Sequence, residues 1–165
     1  MRENIEKRIR ELYPGDSYDD QQFENDKVVF SEKKAHSIFS AIASTLKLGM
    51  SFAFPNDYEH CFTSEFSASG SDEHLLTVRL SQYCPCFYYS FKRRDGGTCD
   101  SYSPPGKAWR EILAQVVALL EKQGITDLQP DSGLFEEVGW LNAGHSLMAR
   151  GDNKVTVFNC LFIEI

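Results

Sequence analysis

The chain contains no long apolar segment, and its first residues do not resemble a secretory signal. No stretch approaches the roughly 18 consecutive apolar residues that a membrane-spanning helix needs. The opening segment, MRENIEKRIRELYPG, carries charges where a secretory signal would be apolar. We therefore expect a cytoplasmic protein that does not enter a membrane.

The common motifs of catalytic and nucleotide-binding sites are also missing. The sequence has no G-x-x-x-x-G-K-[ST], G-x-S-x-G, H-E-x-x-H or G-x-G-x-x-G pattern. Gly96-Gly97 is followed by Thr98-Cys99 rather than by a helix, so it lacks the context that binds phosphate. No internal repeat or low-complexity tract divides the 165 residues. We expect a single domain over residues 1–165, with no cofactor and no enzymatic activity.

The five cysteines form no regular disulfide framework, and their number is odd. Together with a cytoplasmic location, this favours reduced thiols. The nearest approach to a metal motif is Cys84-Pro85-Cys86, with His60-Cys61 upstream. A C-x-C pair is tighter than the C-x2-C spacing common in zinc sites, and no second pair matches it. A zinc-stabilised scaffold around Cys84 and Cys86 is the alternative to cysteines that simply fill the core.

A cysteine–histidine pair is the catalytic alternative. A nucleophilic thiolate needs an imidazole beside it and a third group that orients the imidazole. His145 lies in the glycine-containing turn Asn142–Ser146 and is the best candidate for a base. Cys160, in contrast, lies in the most apolar segment and is expected to be in the core. A small cytoplasmic hydrolase or transferase is therefore the alternative function.

Acidic residues outnumber basic ones, so the net charge is −7 and the isoelectric point is near 5.1. This charge disfavours direct binding of nucleic acid and favours a basic protein partner. The most acidic segment, residues 16–26, alternates carboxylates with aromatic side chains. We expect its acids to steer a partner and its aromatics to anchor it: Asp16, Tyr18, Asp19, Asp20, Phe23, Glu24 and Asp26. A flexible solubilising loop is the alternative interpretation of the same residues.

A second aromatic group lies in the middle of the chain. Phe87, Tyr89 and Phe91 alternate with other residues and are expected to share the buried face of a strand. Tyr88 then points to the opposite face, which predicts an exposed aromatic that can anchor a partner.

The longest periodic pattern indicates a helix over residues 107–123. Its apolar residues recur at helical spacing and form one wide stripe: Trp109, Ile112, Leu113, Val116, Val117 and Leu120. Gly124 is placed to cap the C-terminus of this helix. Similar spacing predicts a helix over residues 31–48, with Ser31 as its N-cap and Gly49 at its end, and a short helix over residues 3–12.

The segments between these helices have the two-residue period of strands. Leu76, Val78 and Leu80 alternate with polar residues, and the runs around residues 50–54, 60–66 and 87–91 are also typical of strands. We interpret residues 145–149 and 155–163 as a terminal hairpin. The predicted fold is α+β, with a single-layer antiparallel sheet of about five or six strands and two long helices packed on it.

The final segment Thr156-Val157-Phe158-Asn159-Cys160-Leu161-Phe162 follows a Gly-Asp-Asn turn. In this it resembles the terminal strand of several small bacterial immunity proteins of contact-dependent inhibition and related polymorphic toxin systems. Size, acidity and the missing catalytic motifs are similar as well. The resemblance implies a protein that binds a cognate toxin domain, often a nuclease, and blocks its active site. It carries no functional residue over to this chain.

Overall fold

The computed structural model describes residues 3–18, 27–55, 59–69, 73–95, 101–143 and 154–162. This part of the chain has an α+β fold, as predicted, with four α-helices and one sheet of five strands. The helices are α1 (Glu3–Leu12), α2 (Glu32–Leu46), α3 (Lys107–Glu121) and α4 (Val157–Leu161). The strands are β1 (Gly49–Ala53), β2 (Cys61–Ser67), β3 (His74–Ser81), β4 (Cys86–Arg93) and β5 (Thr126–Asp127).

The sheet is mixed, so the prediction of a purely antiparallel sheet is wrong. Strands β1 to β4 form an antiparallel meander in chain order. Helix α3 then carries the chain back along the sheet, and β5 pairs with β4 in the parallel direction. The amides of Thr126 and Leu128 donate to the carbonyls of Pro85 and Phe87, which fixes this short parallel pairing. Parallel neighbours need a crossover connection of this kind.

One face of the sheet packs against α2 and α3. Alternate side chains of β2, β3 and β4 point to this face, because side chains of a strand alternate between the two sides. Trp109 of α3 contacts Phe91 at 5.6 Å between ring centroids, and Phe39 of α2 contacts Phe66 at 6.0 Å. The buried strand residues on this face are Phe62, Phe66, Leu76, Val78, Leu80, Phe87 and Phe91.

The opposite face is covered at one end by α1 and α4. Ile5, Ile9 and Leu12 of α1 join Cys160 and Leu161 of α4 in a second buried cluster. This cluster reaches the sheet through side chains of its second face, namely Cys61, Cys86 and Tyr88. Hydrogen bonds tie α4 to the sheet, because Ser81 Oγ donates to the Leu161 carbonyl and the His60 amide donates to the Phe162 carbonyl.

The C-terminal segment is a helix, so its interpretation as a terminal strand is wrong. Thr156 is the N-cap of α4, and its hydroxyl accepts from the Asn159 amide while Asn159 Oδ1 accepts from the Thr156 amide at 2.9 Å. This reciprocal pair is a capping box with Asn in place of the usual Glu or Gln. A short apolar run has no periodicity that separates strand from helix. Residues 145–149, the other predicted hairpin strand, lie outside the described residues.

Helices α2 and α3 are both followed by a residue in the left-handed conformation, which is a lysine after α2 and a glycine after α3. Ser31 caps α2 as predicted, accepting from the Lys34 amide. At the other end Lys47, not Gly49, adopts the left-handed conformation, with φ 54° and ψ 45°. In α3 the predicted Gly124 has φ 75°, and the Ile125 amide donates to the Leu120 carbonyl, which is a Schellman motif.

Lys47→Gly is expected to stabilise the protein. A non-glycine residue in the left-handed region costs about 1–2 kcal/mol, and part of this is offset by the greater freedom of glycine in the unfolded chain. We expect the free energy of unfolding to rise by about 0.5–1 kcal/mol in urea denaturation.

Lys122→Gly is the matched control, because Lys122 also ends a helix but has the right-handed conformation, φ −58°. This variant is expected to lose up to about 1 kcal/mol. Equal effects of the two substitutions would contradict the assignment of backbone strain to Lys47.

Candidate partner-binding surface

The acidic segment predicted to steer a partner is described only at its beginning. Asp16 is exposed, and its carbonyl accepts from the amide and from Nδ2 of Asn142 at 2.9 and 3.1 Å. These bonds hold the start of the segment against the loop that follows residue 138. Asp19, Asp20, Phe23, Glu24 and Asp26 lie outside the described residues, so their predicted role stays a prediction.

Tyr18 is buried, so the prediction of an exposed anchor at this position is wrong. Only 1% of its surface is exposed. Its ring stacks on Tyr13 at 5.5 Å, and its hydroxyl donates to the Asn159 carbonyl at 3.3 Å. The ring is part of the apolar cluster beneath α1 and α4. Burying it is possible because the hydroxyl has a hydrogen-bond acceptor on the backbone of α4.

Tyr88 does point away from Phe87 and Tyr89, but the prediction that it is exposed is also wrong. Its ring lies edge-on to Phe162 at 4.8 Å and to Phe158 at 5.6 Å, both from the C-terminal segment. The Arg79 guanidinium lies 5.3 Å from the ring centroid on the neighbouring strand. A second layer on this face of the sheet therefore buries a side chain that a one-sided sheet would expose.

A cleft on the described surface combines acidic and aromatic side chains, as was expected of residues 16–26, but it is formed by other residues. This tyrosine–aspartate cleft has a volume of about 280 Å³ and is lined by Tyr89, Tyr102, Ser103, Gln129, Pro130 and Asp131. Its residues come from β4, from the segment before α3 and from the turn after β5. Sequence analysis missed it because these segments are far apart in the chain.

The cleft lies at an interruption in the outer edge of β4. β5 pairs with Cys86 and Phe87, whereas Ser101 exchanges two backbone hydrogen bonds with Phe91 at 2.6 and 2.8 Å. Tyr89 lies between these two pairings. Because backbone groups alternate in direction along a strand, the amide and carbonyl of Tyr89 point to the same side as those of Phe91, towards the cleft.

The electrostatic environment of the cleft is acidic. Partial burial and the carboxylates of Asp127 and Asp131 raise the pKa of Tyr89, since each disfavours the phenolate. Gln129 Nε2 donates to Asp127 Oδ1 at 2.8 Å and holds that carboxylate beside the cleft. The Asp131 carboxylate and two phenol rings in the cleft, with the Asp127 carboxylate nearby, form a suitable environment for a cationic side chain.

An exposed aromatic side chain adjoins the cleft. Phe135 is 46% exposed and is one of the two large apolar side chains with substantial exposure in the described part of the chain. Its ring lies 6.3 Å from Tyr102 and 5.6 Å from Phe158. Phe135 therefore extends the cleft with an apolar contact area whose underside is already packed.

Two other clefts in the described structure carry cations and do not suit a basic partner. One, of about 350 Å³, lies against α1 and includes Lys7, Arg8 and Lys27. The other, of about 400 Å³, includes His74, Lys92 and Arg93. Of these three clefts, the tyrosine–aspartate cleft is the one whose charge suits a partner of positive charge.

The described cysteines have properties opposite to those of a catalytic thiol. Cys61, Cys84, Cys86 and Cys160 are free and buried. Burial raises the pKa of Cys61 to about 12, and it raises the pKa values of Cys86 and Cys160 as well. These three thiols are protonated at neutral pH and are poor nucleophiles. Cys99 and His145 lie outside the described residues.

No metal centre is formed by the described residues, because none of their histidine, cysteine and carboxylate groups cluster in threes that could hold an ion. Cys84 and Cys86 are hydrogen-bonded side chains within the core, next to Cys61. These residues therefore provide no ligand set for the zinc-stabilised scaffold that was the alternative prediction.

His60 is a buried histidine next to this cysteine group. Its amide donates to the Phe162 carbonyl, its carbonyl accepts from the Gln82 amide, and its ring lies edge-on to Tyr83 at 5.7 Å. Burial lowers the pKa of His60 from 6.5 to about 4, because the imidazolium loses its hydration. His60 is therefore neutral at physiological pH.

Acid is expected to destabilise the protein through His60. Below pH 6.5 the His60 imidazole is protonated in the unfolded chain, whereas in the folded chain it stays neutral down to about pH 4. The contribution of His60 to the free energy of unfolding is therefore complete above pH 6.5 and falls as the pH approaches 4. The loss is at most about 3 kcal/mol, at 1.36 kcal/mol per pH unit. Urea denaturation at pH 7 and at pH 4 measures it.

His60→Phe should reduce this loss, and His36→Gln, on the exposed side of α2, should not. If the His60→Phe protein loses as much stability between pH 7 and pH 4 as the original chain, His60 is not the group responsible.

Comparison with protein-family models, with curated proteins and with solved structures finds no match to this chain. Within the described residues, no helix is both long enough and apolar enough to span a membrane.

Proposed function

We propose that this protein is an immunity-type inhibitor that binds a cognate toxin domain and neutralises it in a stoichiometric complex. The toxin domain is basic, and a nuclease fits this description because its active site has to attract a phosphate backbone. The inhibitor acts in the cytoplasm, where such a toxin meets its substrate. It needs no catalytic group of its own, because occupying the active site of the toxin is sufficient.

The observation that carries the proposal is the combination of acidic and aromatic side chains in the tyrosine–aspartate cleft. A lysine or arginine side chain of the toxin enters the cleft beside Tyr89 and Tyr102, where cation–π attraction contributes about 0.5–2 kcal/mol. The carboxylate of Asp131 accepts a charge-assisted hydrogen bond from the same cation, and the charge of Asp127 nearby adds to the attraction. The net charge of −7 adds long-range attraction between the two proteins.

Anchoring and steering are assigned to different residues. Phe135 supplies the apolar anchor, because its exposed ring borders the cleft and loses its contact with water in the complex. The acidic segment supplies the steering, through Asp16, Asp19, Asp20, Glu24 and Asp26. Steering acts on the association rate, whereas the anchor and the cleft act mainly on dissociation.

The partner can be identified by native mass spectrometry of the chain captured gently from its own host. We expect a one-to-one complex with a basic polypeptide. The separated polypeptide is then assayed for nuclease activity while the chain is added back, and its activity should fall to zero at equal molar amounts. A partner whose activity is unaffected by a molar excess of the chain would contradict the inhibitor function.

Phe135→Ala is expected to weaken this complex by about fivefold or more, because a truncated anchor at the centre of an interface costs above about 1 kcal/mol. Asp131→Asn is expected to slow association and to reduce its dependence on salt, because it removes one attracting charge. Surface plasmon resonance at two salt concentrations measures both effects.

Phe54→Ala is the matched control, because Phe54 is also an exposed phenylalanine, at 63%, but follows β1 on the opposite edge of the sheet. Its affinity for the toxin should be unchanged. Loss of affinity in Phe54→Ala with none in Phe135→Ala would place the interface on the other edge and contradict the role of the cleft.

A further inference from the structure

The outer edge of β1 has no partner strand within the described residues. β1 pairs with β2 on one side only, at the end of the strand order. Open edges are normally protected by charged residues, prolines or bulges. β1 has none of these, because its sequence is Gly-Met-Ser-Phe-Ala, and the next residue, Phe54, is 63% exposed. The strand is therefore well suited to receive another strand.

The hydrogen bonds between β1 and β2 show which backbone groups face outward. Ser64 Oγ donates to the Ser51 carbonyl at 3.2 Å, so this carbonyl points towards β2. In an antiparallel strand the amide and carbonyl of one residue point the same way, and successive residues alternate. Met50 and Phe52 therefore direct their amides and carbonyls away from β2, towards the open edge.

We propose that two copies of this chain form a dimer by antiparallel pairing of β1 with β1 of the second copy. The two-fold axis passes beside Ser51. Met50 of each copy pairs with Phe52 of the other, and each of these pairs exchanges two N–H···O bonds. One register thus satisfies the outward groups of Met50 and Phe52 in both copies, and the two sheets become continuous.

The side chains of β1 are self-complementary in the same register. Met50, Phe52 and Phe54 lie on the face that carries α2, where Phe52 contacts Phe54 at 5.5 Å and Phe62 at 6.1 Å. The pairing places Met50 opposite Phe52 of the second copy, so an apolar cross-strand pair forms on each side of the axis. Phe54 extends this apolar strip and becomes partly covered.

The charges around β1 permit association of two acidic molecules. Glu65 is the acidic residue opposite Ser51 on β2, and it forms an ion pair with Lys92 of β4. No charged residue lies within β1 itself. Repulsion between the remaining charges of the two copies is screened beyond about 8 Å at physiological ionic strength.

The other edge of the sheet explains why pairing stops at two copies. β4 is covered there by β5 and by the bridge from Ser101 to Phe91. The terminal strand at this end, β5, has only two residues and is too short to add a second sheet. A molecule with one edge long enough for pairing forms a closed symmetric dimer, whereas two such edges would allow a filament. The second copy is the favoured occupant because the pairing uses the same strand twice and leaves only β5 as an edge among the described strands.

Sedimentation velocity and disulfide trapping test this dimer. We expect the purified chain to sediment as a dimer at high micromolar concentration. Ser51→Cys places two thiols across the axis, where Cα atoms of a non-hydrogen-bonded antiparallel pair are about 4.5 Å apart, within the range for a disulfide. Mild oxidation should therefore link the copies at least about tenfold faster than in the control.

The control is Ala53→Cys, which alters an equally exposed position on the same face of β1. The two introduced thiols would then lie about 14 Å apart, four residues out of register at about 3.4 Å per residue. The original chain controls for its own cysteines. A monomer at all concentrations, or equal trapping by the two variants, would overturn the proposal. Neither outcome bears on toxin binding, because no toxin is present.

Discussion

The burial of β4 on both faces of the sheet determines where the other elements lie. From Cys86 to Phe91 its side chains are buried except for Tyr89, which is half-buried. Phe87 and Phe91 require an apolar layer on one side, and α2 and α3 supply it. Cys86 and Tyr88 require a second layer on the other side, supplied by α1 and α4. A strand apolar on both faces is stable only between two layers.

This arrangement leaves the edges of the sheet for interactions. On one edge, β5 and Ser101 cover β4 at separate places and create the tyrosine–aspartate cleft between them. On the other edge, no described strand pairs with the outward amides and carbonyls of β1. Recognition at an edge depends on backbone direction as well as on side chains, so the two edges present different groups for recognition.

The layer formed by α1 and α4 also accounts for the chemistry of the cysteines. Cys61, Cys84, Cys86 and Cys160 contribute small apolar side chains to this cluster. Their burial removes the water access that a reactive thiolate needs. The same desolvation keeps His60 neutral at physiological pH.

Local periodicity and local hydrogen bonds are readable from the amino-acid sequence, and the features that depend on them were predicted correctly. The stripe of Trp109, Leu113, Val116 and Leu120 defines the buried face of α3, and Leu76, Val78 and Leu80 define the helix-facing side of β3. Ser31 and Gly124 marked helix ends because capping needs particular residue types within a few positions.

The exposure of the aromatic side chains and the position of the acidic cleft depend on contacts between segments that are far apart in the chain. Tyr18 bonds to the backbone of Asn159, 141 residues away, and no local pattern contains such a contact. The cleft likewise unites Tyr89, Tyr102 and Asp131 from three separate segments. The Thr156–Asn159 capping box is a local sequence signal and could have been recognised. The apolar run that contains it is long enough for either a short strand or a helical turn, and it was interpreted as a strand. Periodicity determines which side of an element is apolar; the distant segment that covers that side is determined by packing.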